Sequence, residues 1–184
     1  MMNKKIILFV ALETEFSKDL IPAGVEIHYT GVGKVNAAIK ATSVLCNISS
    51  KDTIVLNYGS AGSNILPRGT LVECKYFIQN DMKTPFGIDN ETPFDYLIYP
   101  EIKEPTIHFG SGYVCRTQDT FEKNPNGIFD MEAYSIAKVC KIYGFDFVAY
   151  KYISDGGDVT DWEENCSKGS SLFLNELNHI FNVR

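Results

Sequence analysis

At 184 residues, 45% hydrophobic and 22% charged, the chain has the size and composition of one globular domain, residues 1–184, long enough to bury a core. Its net charge of −6, with no Lys/Arg cluster, argues against a nucleic-acid or anionic-membrane partner. The five cysteines (Cys46, Cys74, Cys115, Cys140, Cys166) and three histidines (His28, His108, His179) are scattered without metal-ligand spacing. Reduced thiols in a cytoplasmic protein, and no metal site, are the expectation.

The chain opens "MMNKKIILFVAL", which has the basic-then-apolar order of a signal peptide. The acidic "ETEF" follows at once with no small-residue cleavage site, so a buried strand over Ile6–Leu12 is the better reading. No apolar run approaches the length of a transmembrane helix. Further strands are predicted at Val25–Thr30, Thr53–Asn57, Leu71–Ile78, Thr106–Phe109 and Phe147–Ser154. Helices are predicted at Lys34–Ile48, Asp130–Tyr143 and Ser170–Phe181, the second with Asp130 as N-cap and Gly144 just past its end. Between them, Asn80–Glu104 is rich in Pro, Asp, Asn and Glu and reads as a long functional or mobile loop. Strands alternating with helices predict an α/β sandwich with a mostly parallel or mixed sheet.

Polar residues gather at the predicted strand exits. Glu13 follows the first strand, "GVGK" (Gly31–Lys34) the second, "GSAG" (Gly59–Gly62) the third and "SDGGD" (Ser154–Asp158) the last. Ligands of open α/β sheets bind outside the carboxyl ends of strands, so these exits converge on one candidate pocket. Individually they are ordinary turns. "GVGK" is no phosphate loop, because His28 stands where its first glycine belongs and Val35 replaces the Ser/Thr; "GSAGSN" lacks dinucleotide spacing. In the helix after Asp130, Ile136, Val139, Cys140 and Tyr143 form an apolar stripe, opposite Tyr134, Ser135, Lys138 and Lys141. Glu132 falls inside the apolar stripe, with Ile136 and Val139 at i+4 and i+7. A carboxylate there either bends out to solvent, where the helix dipole favours it, or faces inward and needs hydrogen bonds from a ligand.

Taken in order, "ALETE", "GVGK", "NYGSAGS", "DMEAYSIA" and "ISDGGD" resemble the nucleoside phosphorylase/hydrolase superfamily. The likeness runs from about Ile6 to Asp158 and is greatest to the 5′-methylthioadenosine/S-adenosylhomocysteine nucleosidase branch. It implies a three-layer α/β/α sandwich around a twisted mixed sheet, and a homo-oligomer, most simply a homodimer, whose loops approach the neighbour's site. It also implies hydrolysis of a purine nucleoside's N-glycosidic bond without a cofactor. By the same resemblance Glu13 activates the attacking water and Asp155, after Ser154, protonates the purine. Glu132 binds the ribose hydroxyls with Met131 beneath the sugar, and Ser60, Ala61 and Gly62 line the sugar and water site. "TQDTF" (Thr117–Phe121) is the base-side loop with Phe121 stacking on the purine, and "NDMKTPFG" (Asn80–Gly87), Phe86 included, closes over the 5′ substituent.

The chain departs from the family pattern in places. It is shorter, it lacks a hairpin before "GVGK", the Phe121–Met131 connection is compressed, and Lys151 stands where an arginine is usual near the water. These departures touch substrate selection more than bond cleavage. The alternative is a purine nucleoside phosphorylase, whose family pattern has an arginine just before "GSxG"; Asn57 is there, and Arg68, Arg116 and Arg184 are not nearby in sequence. A non-catalytic nucleoside-binding protein is the third reading.

Overall fold

The computed structural model describes residues 5–87 and 89–182. Residues 1–4 of the N-terminal stretch lie outside them, and the apolar run that follows is a strand, β1 (Lys5–Val10). The pleat sends Ile7 and Phe9 to one face and Ile6, Leu8 and Val10 to the other, all fully buried. Burial on both faces makes β1 an interior strand, paired in parallel with β2 (Val25–Tyr29) and β3 (Thr53–Gly62).

On the first face, Ala37, Ala41 and Leu45 of α1 (Lys34–Leu45) pack beside Ala133, Ile136, Ala137 and Cys140 of α3 (Ala133–Tyr143). On the second, Phe16 meets Phe173 and Leu177 of α5 (Ser170–Asn182). The Phe173 ring stacks on Tyr58 at 4.4 Å and meets Phe16 edge-on at 5.4 Å. Burying each of these side chains contributes about 1.5–3 kcal/mol.

The sheet is mixed and eight-stranded. Its order is β2-β1-β3-β7-β6-β4-β5, with β4 (Leu71–Gln79), β5 (Ile107–His108), β6 (Tyr113–Thr117) and β7 (Ile128–Asp130). β8 (Asp146–Asp155) runs parallel to β3 and antiparallel to β4. The ladder β3–β7–β6–β4–β8 therefore closes on itself, and Gly62 is where β3 also pairs with β7.

Several expectations are corrected. The strand predicted to stop at Asn57 continues to Gly62, because β8 stays in register beside it; "GSAG" is strand, not turn. β6 and β7, and α4 (Val159–Asn165), were not predicted: each is short and held by its neighbours rather than by an apolar pattern of its own. Helix α3 begins at Ala133 rather than Asp130, which ends β7. Tyr134 and Ser135, expected on the open side of α3, are buried, whereas Tyr143 is exposed. For Tyr134 the cause is the stretch from Thr92 to Ile98, which lies over the helix: Thr92 and Tyr134 share a 2.8 Å hydroxyl bond, and Lys138 pairs with Asp95 of α2 (Asp95–Ile98) at 2.7 Å.

Candidate active site

A cavity of about 260 Å³ opens at the carboxyl ends of β1, β3 and β8. A register shift between Ala61 and Gly62 sets Gly62 opposite Asp155 on β8. Bulges of this kind re-aim side chains beside functional sites. Ser60, Ala61, Gly62, Phe121, Met131, Glu132 and Asp155 all line the cavity.

Glu13 does not. Its side chain is exposed, while Glu15 is 4% exposed and lines the cavity. The chain leaves β1 in a tight turn in which the Glu15 N–H donates to the Leu12 carbonyl at 3.1 Å, which leaves Glu13 at the apex. Glu15 Oε1 accepts from the Ser60 N–H at 2.8 Å and the Ser60 hydroxyl at 2.6 Å, and Oε2 accepts from the Leu12 N–H at 3.2 Å. The acid on this wall is Glu15, two residues beyond the one expected.

Asp155 is 1% exposed at the end of β8. Its Oδ2 accepts from the Ser154 hydroxyl and its Oδ1 from the Gly157 N–H, both at 2.8 Å. Gly157 has φ 97°, and a Cβ there would meet the Lys123 carbonyl oxygen at 2.2 Å, so the "SDGGD" turn packs against the base-side loop as only glycine permits. Ser154 supports Asp155 from behind and does not line the cavity. Ser60, which anchors Glu15, and Gly62, beside Asp155, are two residues apart on β3, roughly 6.6 Å of strand. The two carboxylates are thus held apart, not paired.

Glu132 is 7% exposed and faces inward. The Gly33 N–H, at the start of α1, donates to its Oε1 at 2.8 Å; Gly33 has φ 96°, a conformation other residues rarely adopt. Burial, and then the Asp130 charge, push the Glu132 carboxyl up to about 8, partly offset by Lys151. Beneath it is a buried ion pair: Lys151 Nζ lies 2.7 Å from Asp130 Oδ2, with the two side chains 1% and 0% exposed. Asp130 Oδ2 also accepts the Ala133 N–H at 2.7 Å, and Oδ1 the Thr117 hydroxyl at 2.5 Å. Burial opposes the Lys151 charge, but Asp130 more than compensates and holds its pKa above the ordinary lysine value; Lys151 in turn holds Asp130 low despite burial. Lys151 is spent on Asp130 and is not on the cavity wall.

Phe86 is also off the wall: it is 72% exposed and packs on Phe94, ring centroids 5.9 Å apart. The base-side loop adds Gln118, Thr120 and Glu122, cross-linked by Gln118 Nε2 donating to the Thr120 carbonyl at 2.8 Å. Val159 and Trp162 of α4 complete the wall, and sequence reasoning missed both. Trp162 was visible as the single tryptophan. Among the described residues, no Lys, Arg or His lines the cavity, whereas Glu15, Glu122, Asp130, Glu132 and Asp155 do.

Known proteins share this arrangement of elements. The chain is 29% identical to a 5′-methylthioadenosine/S-adenosylhomocysteine nucleosidase of Baumannia cicadellinicola subsp. Homalodisca coagulata, across 70% of this chain and 67% of that one. It superposes on the Helicobacter pylori nucleosidase of the same name with TM-score 0.80 and 18% identity, covering all of both chains. Futalosine hydrolase of H. pylori gives TM-score 0.81 at 18% identity over 100% of this chain and 99% of that one. The Colwellia psychrerythraea 34H nucleosidase, solved with adenine, gives 0.76 at 20% over 96% and 95%. These solved structures establish the fold. With its residues 23–181 matching the family profile, the chain belongs to the phosphorylase superfamily.

Proposed function

We propose that the protein hydrolyses the N-glycosidic bond of a purine nucleoside, of the 5′-methylthioadenosine/S-adenosylhomocysteine type, to free base and free sugar. The observation that carries this reading is the cavity wall, with five carboxylates and no cation among the described residues. Phosphate bears close to two negative charges at neutral pH, and a site that uses it as nucleophile needs fixed cations or a nest of N–H donors. Asn57, at the position of the phosphorylase arginine, is buried and donates to the Phe9 carbonyl at 3.0 Å. Arg68 pairs with Asp161 at 2.5 Å, Arg116 is not on the wall, and Arg184 lies outside the described residues. A neutral water suits this wall far better than an anion.

In the reaction, the bond between the sugar's anomeric carbon and the purine breaks with its electron pair leaving on the base, and Asp155 supplies the proton that makes the base neutral. The sugar passes through a cationic, oxocarbenium-like state, favoured by the Glu15 carboxylate and by Asp155 once it has given up its proton. Water adds to the anomeric carbon and gives its proton to Glu15. Glu132 takes the 2′ and 3′ hydroxyls, Met131 lies under the sugar, and Phe121 stacks on the base. Lys151 keeps Asp130 compensated and so lets four further acids share one cavity.

A homodimer fits the exposed apolar side chains of Phe86, Phe94, Leu97 and Ile98, each at least 47% exposed. Free thiols at all five cysteines suit a cytoplasmic setting. Among the described residues no helix is long and apolar enough to cross a membrane. The test of the activity is base release from a panel of purine nucleosides differing in base and 5′ group. Adenine release from 5′-thio-substituted adenosines is expected, and no release from any member would refute the proposal.

A further inference from the structure

Resting on the hydrolase reading above, we propose that Trp162 is a positioning residue for Glu15, acting through the Ser60 hydroxyl. The indole N–H can only donate, and it points at Ser60 Oγ from 2.9 Å. With that side of the oxygen occupied, the Ser60 proton is directed to Glu15 Oε1, 2.6 Å away, where the Ser60 N–H also converges at 2.8 Å. Oε1 is thereby held by two donors. Oε2 has only the longer 3.2 Å bond from Leu12 N–H, so it is the oxygen with lone-pair capacity for a water. Trp162 decides which oxygen of the base does the chemistry.

The helix that carries the indole is itself fixed by the acid's own turn. Asp158, three residues after Asp155, caps α4 by accepting the Thr160 and Asp161 N–H groups at 2.8 and 3.2 Å. Asp161 is held in turn by Arg68 at 2.5 Å. The short segment 155–162 therefore carries both the group that protonates the base and the group that aims the water-activating carboxylate. Phenylalanine would fill the same wall without donating a hydrogen bond.

The experiment is a double-mutant cycle read by steady-state kinetics and by the indole resonance. In Trp162→Phe, kcat should fall about 5- to 10-fold, the worth of one neutral hydrogen bond, with KM changed by less than about two-fold. In a Ser60→Ala background the same substitution should cost nothing further, because the relay is already cut. Since the chain has a single tryptophan, one indole N–H signal appears in a nitrogen–proton spectrum, and Ser60→Ala should move it and speed its exchange with solvent. Wild-type kcat in Trp162→Phe, equal losses in both backgrounds, or an indole signal unmoved by Ser60→Ala would each overturn the proposal. Should the unmodified protein release no base from any nucleoside, the hydrolase reading falls. The indole signal still decides whether the relay exists.

Discussion

Replacing Glu132 with glutamine should stabilise the ligand-free protein at alkaline pH while weakening its grip on ribosides. Glutamine keeps the volume and the carbonyl oxygen that accepts the Gly33 N–H, but it cannot ionise. In the native protein the Glu132 carboxyl is pushed from the ordinary 4.5 to about 8, by burial first and by Asp130 second. A native pKa above the unfolded one means the folded state holds the proton more tightly. The associated stability is full below pH 4.5 and drains away as pH rises through about 8. At about 1.4 kcal/mol per tenfold change in proton affinity, the whole interval corresponds to roughly 5 kcal/mol. For a protein of this size each kcal/mol moves Tm by about 2–4 °C, so Glu132→Gln should melt about 10 °C or more above the unmodified protein at pH 9. At pH 4, where this residue is mostly protonated in the folded and the unfolded chain alike, the two should melt nearly together. Calorimetry of both proteins across pH 4–9 makes the comparison, with titrations common to both cancelling in the difference. Parallel curves, with a Tm difference independent of pH, would refute the assignment of a strained, inward-facing carboxyl.

The same Glu132→Gln variant should lose about 1.5–3 kcal/mol of kcat/KM on ribosides and little on 2′,3′-dideoxy analogues, because the missing contact is to the diol; competition between paired substrates measures the split. Asp155→Asn should lower kcat by about 10²–10⁴-fold in base-release assays while leaving inhibitor affinity nearly intact. Glu15→Gln should lose at least about 10²-fold, whereas Glu13→Gln should stay near unmodified activity, which separates two acids two residues apart. Lys151→Met should destabilise the fold by about 3–5 kcal/mol, since Asp130 is left buried and uncompensated, and adding Asp130→Asn should recover part of the loss in a denaturant titration.

The features legible in the sequence are those set by local pattern. β1 and β8 read as apolar runs, α1 and α5 as periodic segments, and Gly144 as the residue after a helix. Glu132's inward placement was readable as a conflict between its charge and its apolar neighbours at i+4 and i+7, and such conflicts concentrate at functional sites. What escaped depends on distant partners. Glu15 rather than Glu13 turns inward because Ser60, 45 residues away, offers two donors. Trp162 joins the wall through a bond to Ser60 across 102 residues. β7 is a strand of three residues only because β6 and Gly62 of β3 flank it. Phe86 was expected over the cavity but turns outward onto Phe94, a choice made within the 80–104 segment that hydropathy does not encode.

The central claim is that water, not phosphate, attacks the anomeric carbon. It is tested most directly by incubating the protein with 5′-methylthioadenosine in phosphate buffer and identifying the sugar by mass spectrometry. Repulsion between Glu15 and a bound phosphate, about 4 kcal/mol per charge pair at 4 Å and an effective dielectric near 20, predicts free 5-methylthioribose at a rate indifferent to phosphate concentration. A sugar 1-phosphate, or a rate that rises saturably with phosphate, would contradict the account and make the protein a phosphorylase.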